Sequence, residues 1–231
     1  MQKDYFKEFE EFNRTCESIY RLGDLEVLII LKDGTNLTSW QDVDDKDDII
    51  FVSENLSNCM HLSYRYANLT NLKAIVIDKT SDNVTSMKSM FAFCKSLKNI
   101  YLNDFNVSKV TTLEDMFYNC ISLVNLAFLK DWDVSNVDNM ECMFENCNSV
   151  QDLSSLKDWN VSKVRTMECM FCDCKSLKDI SALSSWDVSN VNVNYTVGMF
   201  DGCSRNLDLS IFKDWDVEML VDRDWAFAGW R

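Results

Sequence analysis

Cysteine is the residue type in this chain with the greatest capacity for chemistry, because ten cysteines occur among 231 residues. Five of them lie in two neighbouring segments, at Cys142, Cys147, Cys169, Cys172 and Cys174. The segment from Cys169 to Cys172 has the C-x-x-C spacing of zinc knuckles, and a structural zinc site needs four ligands that converge tetrahedrally. This spacing occurs in a single segment, and buried thiols usually behave as small, inert apolar groups. The sequence therefore predicts no metal site.

Cys142 and Cys169 form a candidate thiol pair. They occupy the same position in two consecutive copies of a repeated pattern. Stacking of the copies would bring their Cα atoms to about 5 Å, which lies within the range for a disulfide. The alternative is two reduced thiols in a reducing compartment. Cys172 replaces Glu145 and Tyr118 at its repeat position and is predicted to be the most exposed and reactive thiol.

Other chemistry has little support in the sequence. The chain has one histidine, His61, so neither a His-rich metal site nor a second nucleophile–histidine pair can be assembled. The acidic stretch 41–50 lacks the glycine and glutamate that an EF-hand loop needs. We expect no enzyme, no catalytic residue and no cofactor. A pocket that joins His61, Cys59 and an acidic residue would reverse that expectation.

Charge and hydrophobicity restrict the class of partner. The formal net charge is −14, which disfavours binding to a phosphate backbone, so we expect no nucleic acid partner. No apolar run approaches the roughly 20 residues needed to span a bilayer, so we expect no direct membrane insertion.

An internal repeat of about 26–27 residues organises the chain. Its unit reads W-[DN]-V-S-x-V-x-x-M-x-x-M-F-x-x-C-x-S-L-x-x-[IL]. Side chains that recur in every unit are expected to form columns in a shared core. The predicted columns are a phenylalanine column (Phe91, Phe117, Phe144, Phe171, Phe200), a cysteine column (Cys94, Cys120, Cys147, Cys174, Cys203) and a tryptophan column (Trp132, Trp159, Trp186, Trp215).

The repeat predicts the fold class. Stretches such as S-L-K-N-I-Y-L favour a short strand, and apolar residues at every third position favour a short helical turn. We therefore expect an α/β repeat, a leucine-rich-repeat-like solenoid of about six or seven coils over residues 61–231. Residues 1–60 are expected to form an acidic N-terminal α/β cap, with a helix near residues 9–20 followed by strands.

The pattern W-D-V-S-N-V-x-x-M-x-x-M-F-x-x-C-x-S-L resembles the repeat of the BspA-like leucine-rich-repeat surface protein family, including its repeats named from mycoplasma lipoproteins. The resemblance covers about residues 62–231. It implies a leucine-rich-repeat solenoid, display on a cell surface, adhesion to host proteins or other cells, and no enzymatic activity. The family has no catalytic residues to transfer to this chain.

Together the repeat and the resemblance predict a non-enzymatic protein that binds protein ligands through one repeated face. The resemblance implies a surface or secreted location. The alternative is a cytoplasmic or injected scaffold of the same fold, because the N-terminal residues lack a signal-peptide apolar region. Candidate contact residues are Asp115, Glu141 and Glu168 near the helical turn, or Lys98, Gln151 and Lys178 beside the strand.

An alternation of charge suggests contacts between units. Asparagine and aspartate alternate in the column after the tryptophan, and lysine and asparagine alternate three residues later. We therefore expect Asp133 to pair with Lys109 or Lys163 of a neighbouring unit, contributing about 0–1 kcal/mol if exposed.

Overall fold

The N-terminal part of the described chain forms a five-stranded mixed sheet. The structure is a computed structural model that describes residues 27–192, 198–204, 207–208 and 210. The strands are β1 (Val27–Leu31), β2 (Asn36–Leu37), β3 (Ile49–Leu56), β4 (Ala74–Thr80) and β5 (Asn99–Leu102). Their order in the sheet is β2-β1-β3-β4-β5. β1 is antiparallel to β2 and β3, whereas β3, β4 and β5 run parallel.

Sequence chemistry explains the sheet. β1 consists of Val, Leu and Ile, which suit a pleated, buried surface. The chain reverses between β1 and β2 at Gly34, whose φ of 88° suits glycine, and the Asp33 carboxylate accepts a hydrogen bond from the Thr35 backbone N–H. One face of the sheet, which includes Ile29 and Ile75, joins the main hydrophobic core.

After β5 the repeat units stack through turns and isolated bridges. Parallel bridges connect Ser86 to Thr112, Thr112 to Asn139, and Asn139 to Thr166. The phenylalanine rings stack from unit to unit, with centroids 5.5–5.6 Å apart and planes within about 11° of parallel. Tyr66 extends this stack at 5.4 Å from Phe91. The main core is therefore one continuous column of aromatic and aliphatic side chains.

The predicted fold class is wrong. No α-helix occurs in the described residues, and the strands form a single open sheet rather than a leucine-rich-repeat solenoid of strands and helical turns. The apolar residues at every third position, such as Val107, Val110 and Leu113, form separate tight turns. In one of these turns the Val110 N–H donates to the Val107 carbonyl at 2.9 Å.

The later units, as far as the structure describes them, have no strand where β5 lies in an earlier unit. Short 3₁₀ turns replace it at Ala127–Leu129, Ser154–Leu156 and Ser181–Ser185. Two features of the sequence explain the change. Buried residues recur every third position, as at Leu126 and Leu129, and this spacing matches a 3₁₀ turn. In addition, Asn125 Oδ1 accepts a hydrogen bond from the Ala127 N–H at 2.8 Å, and Asp152 and Asp179 make the equivalent bond in the next units.

The predicted columns are buried where the structure describes them, and the tryptophan column also forms hydrogen bonds between units through its indole N–H groups. The described phenylalanine and cysteine columns are buried, as are Trp132, Trp159 and Trp186. Trp159 donates its indole N–H to the Leu129 carbonyl at 3.0 Å, and Trp186 repeats this contact with Leu156.

Trp215 and the predicted N-terminal helix lie outside the described residues. The predicted domain boundary at 60/61 falls between β3 and β4, which pair directly.

The expected pairing of Asp133 with a lysine is also wrong. Asp133 Oδ1 accepts a hydrogen bond from the Ser135 backbone N–H at 3.1 Å. Lys163 Nζ instead lies 2.6 Å from Asn136 Oδ1, and Asn136 donates to the Ser108 carbonyl at 2.7 Å. The pKa of Asp133 is lowered mainly by Ser135, and the attraction of Lys163 is the smallest of its influences.

Candidate functional site

Each unit displays one short surface loop around its buried phenylalanine. The residues two before and two after the phenylalanine have positive φ, a conformation that residues other than Gly, Asn and Asp rarely adopt. The residues before it are Ser89, Asp115, Cys142, Cys169 and Gly198, and those after it are Phe93, Asn119, Asn146, Asp173 and Gly202. Because this backbone repeats, equivalent side chains of successive loops lie in register.

Five carboxylates in three consecutive loops form a surface that we call the acidic ridge: Glu114, Asp115, Glu141, Glu145 and Glu168. All five side chains are partly buried. Lys88 Nζ lies 2.5 Å from Glu114 Oε1 at one end of the ridge. Asn139 Nδ2 also donates to Glu114 Oε2 at 3.2 Å.

The acidic ridge holds like charges close together. Partial burial, followed by the charges of Glu114 and Glu168, raises the pKa of the Glu141 carboxyl. Burial and the neighbouring Glu114 also raise the pKa of Asp115, although Lys88 opposes this rise. Desolvation is also the main reason that the pKa of Glu145 is raised. The ridge is therefore a surface on which added positive charge would be stabilising.

Three cysteines and one glutamate form a second group, which we call the thiol cluster: Cys142, Glu145, Cys169 and Cys172. The sulfur atoms of Cys142 and Cys169 and a carboxylate oxygen of Glu145 all lie within 4.8 Å of one another. The Cys172 thiol hydrogen-bonds with Cys169. All four side chains are partly exposed. Only soft or borderline metal ions, or another thiol, suit such a set of donor atoms.

Backbone hydrogen bonds between two consecutive loops hold the thiol cluster in place. The Cys142 N–H donates to the Glu168 carbonyl at 2.8 Å. The Asn146 N–H donates to the Cys172 carbonyl at 2.8 Å. Within each loop, the Glu145 N–H donates to the Cys142 carbonyl, and the Cys172 N–H to the Cys169 carbonyl. The segments C-M-F-E and C-M-F-C therefore lie side by side with their cluster residues in register.

Cys169 is the cysteine of the cluster that forms hydrogen bonds with both of the other thiols. Hydrogen bonds from the thiols of Cys142 and Cys172 lower the pKa of the Cys169 thiol. The same hydrogen bonds, together with partial burial, raise the pKa values of Cys142 and Cys172. The cysteine column behaves differently, because burial raises the pKa of Cys147, and that thiol stays protonated.

Sequence reasoning identified part of this cluster. It grouped Cys142, Cys169 and Cys172 with Cys147 and Cys174 but predicted no metal site there, and it did not include Glu145. Cys172 is partly buried, as Cys142 and Cys169 are. The missed signal is that C-x-x-E at 142–145 aligns with C-x-x-C at 169–172, so stacking superimposes four donor groups. Cys147 and Cys174 instead belong to the core column.

The predicted contact residues fall into two groups. Asp115, Glu141 and Glu168 belong to the acidic ridge and are partly buried. Lys98, Gln151 and Lys178 are exposed and lie seven residues after the phenylalanine of their units, outside the ridge.

A cavity of about 500 Å³ lies beside the sheet, lined in part by Trp40, Glu54, Cys59 and Arg65. Glu54 is buried and accepts hydrogen bonds from the Tyr66 hydroxyl at 2.6 Å, from Trp40 Nε1 at 3.2 Å and from Arg65. His61 is exposed and does not line this cavity. The buried carboxylate thus ties β3 to the first repeat unit, and the set of His61, Cys59 and an acid is not assembled there.

Comparisons with known proteins identify the family. A family model described as "Mycoplasma protein of unknown function, DUF285" matches residues 38–153 and again residues 124–230. The chain belongs to this family. The two successive matches of DUF285 agree with a chain built from repeated units. No curated protein and no solved structure matches the chain.

No helix in the described part of the chain is long and apolar enough to cross a bilayer.

Proposed function

We propose that this protein binds other proteins through the acidic ridge and catalyses no reaction. The observation that carries the proposal is a row of glutamates displayed on a backbone that repeats from loop to loop. Glu114, Glu141 and Glu168 occupy the same position in three stacked loops. Such a surface presents a periodic row of charge, which suits an extended partner.

Electrostatics define the kind of partner. The ridge carboxylates are partly desolvated and repel one another, which raises the pKa values of Asp115, Glu141 and Glu145. Lysine or arginine side chains of a partner would relieve this repulsion and also speed up the encounter. The formal net charge of −14 acts in the same direction. The proposed partner is therefore a protein with a basic segment.

The resemblance of the repeat to BspA-like surface proteins supports adhesion at a cell surface as the setting. Shaving intact source cells with a protease tests this location. Release of peptides from residues 117–186 before lysis supports a surface adhesin. Release only after lysis favours the alternative, an intracellular or injected binding scaffold.

A site-specific photo-crosslinker tests the binding face. Placed at Glu141 of the full chain in source cells, it should give an adduct with a protein partner. The same group at Lys178, which is exposed outside the ridge, serves as the matched control. The adduct at residue 141 should decline when Glu114 and Glu168 are both changed to lysine. Adducts that are equally abundant at both positions, or that are unaffected by the charge reversal, would contradict the proposal.

A further inference from the structure

We propose that Cys142, Glu145, Cys169 and Cys172 bind one thiophilic metal ion of the Zn²⁺ class. This inference does not depend on the protein-binding proposal. The two share only Glu145, and the metal site rests on the donor atoms of the thiol cluster. The first support is proximity: donor atoms from Cys142, Glu145 and Cys169 lie within 4.8 Å of one another, and Cys172 hydrogen-bonds with Cys169.

The spacing suits a tetrahedral site. Zinc–thiolate bonds of roughly 2.3 Å at tetrahedral angles place neighbouring sulfur atoms about 3.8 Å apart. Donor atoms of Cys142, Glu145 and Cys169 already lie within 4.8 Å of one another, so these three need only small side-chain rotations to close around an ion. The fourth donor, the Cys172 thiol, joins them from its hydrogen bond with Cys169. The set offers three thiolates and one carboxylate, and thiolate selects zinc or copper(I) over magnesium or calcium.

The backbone is arranged for binding before an ion arrives. Cys142 and Cys169 have φ values of 51° and 53°. The Cys142 N–H donates to the Glu168 carbonyl of the next loop, and the Cys169 carbonyl accepts from the Cys172 N–H within its own loop. The next loop has Gly198 at the equivalent position, where an added Cβ would lie 3.2 Å from Cys169 Sγ. A side chain there would crowd the central sulfur atom, so glycine leaves Cys169 accessible on that side.

The site is confined to one pair of loops. In the other loops that the structure describes, the cysteine positions hold Tyr64, Ser89, Asp115 and Gly198, which provide no thiolate. The cysteine column does not compete for the ion, because its thiols are buried and donate to backbone carbonyls. All four cluster residues are partly exposed, so an ion can reach them from solvent.

Cobalt(II) is the probe for the test, because it reports thiolate ligation by its absorption. The reduced full chain, titrated without oxygen, should bind one Co²⁺ with thiolate-to-cobalt charge-transfer and tetrahedral d–d bands, and Zn²⁺ should displace it. Cys169→Ser should weaken binding at least about tenfold. Cys172→Ser should lower the charge-transfer intensity at saturation by about one third, because one of three thiolates is lost. Glu145→Gln should weaken binding but retain the charge-transfer band, because its three thiolates remain.

The matched control is Cys59→Ser, which removes a partly buried cysteine outside the cluster and should leave the titration unchanged. Circular dichroism establishes that each variant is folded. Absence of a charge-transfer band in the unaltered chain would overturn the proposal whatever the variants do. A band whose intensity and affinity are unchanged in Cys142→Ser, Cys169→Ser and Cys172→Ser alike would also overturn it, because the metal would then lie elsewhere.

Discussion

Cys147 donates its thiol hydrogen to the Phe117 carbonyl, 3.2 Å away in the preceding unit. The other members of the cysteine column make the same contact, with sulfur-to-oxygen distances of 3.0–3.2 Å. A column that looks in the sequence like a choice of small apolar side chains is therefore also a row of weak hydrogen bonds between units.

Replacing Cys147 by alanine should destabilise the protein. The change removes the thiol hydrogen bond and opens a small cavity among fully buried neighbours, so we expect a loss of about 1–2 kcal/mol in the free energy of unfolding. Urea denaturation measures it. The control Cys59→Ala, at a partly exposed site, should cost clearly less. Equal losses for the two variants would show that the column has no special structural role.

Replacing Trp159 by phenylalanine removes the indole hydrogen bond and part of the buried ring, but keeps an aromatic side chain in the stack. Phenylalanine is acceptable in this column, because Phe105 occupies the equivalent place and stacks on Trp132 at 5.5 Å. The variant loses the N–H that Trp159 donates to the Leu129 carbonyl, and we expect about 1 kcal/mol of destabilisation. Trp159→Leu, which also loses the ring stacking on Trp186, should cost more. If Trp159→Phe left the free energy of unfolding unchanged, the indole hydrogen bond would contribute nothing to stability.

The repeat could be predicted from the sequence, but its backbone conformation could not. Recurring Phe, Cys and Trp positions pointed to stacked units, and S-L-K-N-I-Y-L did become β5. The later units have small residues such as Ala127 and Ser154 where β5 has Tyr101. A buried leucine three residues before the tryptophan completes the 3₁₀ spacing. Local pattern alone did not separate a tight turn from a helix, because both have apolar residues at every third or fourth position.

Replacing Glu141 by glutamine should stabilise the protein at neutral pH. Its pKa is raised in the folded state, so the folded protein holds this proton more tightly than the unfolded chain. Wild-type stability therefore falls as pH rises from the ordinary glutamate pKa to the raised one, and the full penalty persists above it. We expect the variant to gain about 0.2–1 kcal/mol at pH 7.

The advantage of Glu141→Gln should disappear below the ordinary glutamate pKa, where the wild-type carboxyl is protonated in both states. Urea denaturation at pH 7 and at low pH measures the difference. Asp158→Asn, an exposed carboxylate outside the ridge, is the control and should change stability less. A stabilisation of Glu141→Gln that does not depend on pH would contradict the electrostatic explanation.

Lys163 should couple energetically to Asn136 and not to Asp133. Its ammonium group contacts Asn136 Oδ1 at 2.6 Å, whereas the Asp133 carboxylate caps Ser135. Because the pair is exposed, a double-mutant cycle on Lys163→Met and Asn136→Ala should give only about 0.2–0.5 kcal/mol. The matched cycle of Lys163→Met with Asp133→Ala should give a smaller value. A larger coupling energy between Lys163 and Asp133 than between Lys163 and Asn136 would contradict this prediction and support the ion pair expected from charge alternation.

The thiol cluster shows which part of a site depends on three-dimensional register. Cys169 and Cys172 are three residues apart in one loop, and this C-x-x-C spacing is visible in the sequence. Cys142 and Glu145 join them only because one repeat unit stacks on the next without a shift. A displacement of one residue would place other side chains beside Cys169. The sequence therefore contained all four donor residues but not their convergence.

The stacking in register that places Cys142 beside Cys169 underlies both the acidic ridge and the thiol cluster. Mild oxidation of the folded, metal-free protein with diamide, followed by peptide mapping, tests it most directly. The structure predicts that a Cys142–Cys169 disulfide, which joins two units, is among the first to form, while the buried cysteine column remains unmodified. First disulfides that link column cysteines such as Cys120 and Cys147, or that form without selectivity, would contradict this arrangement of the units.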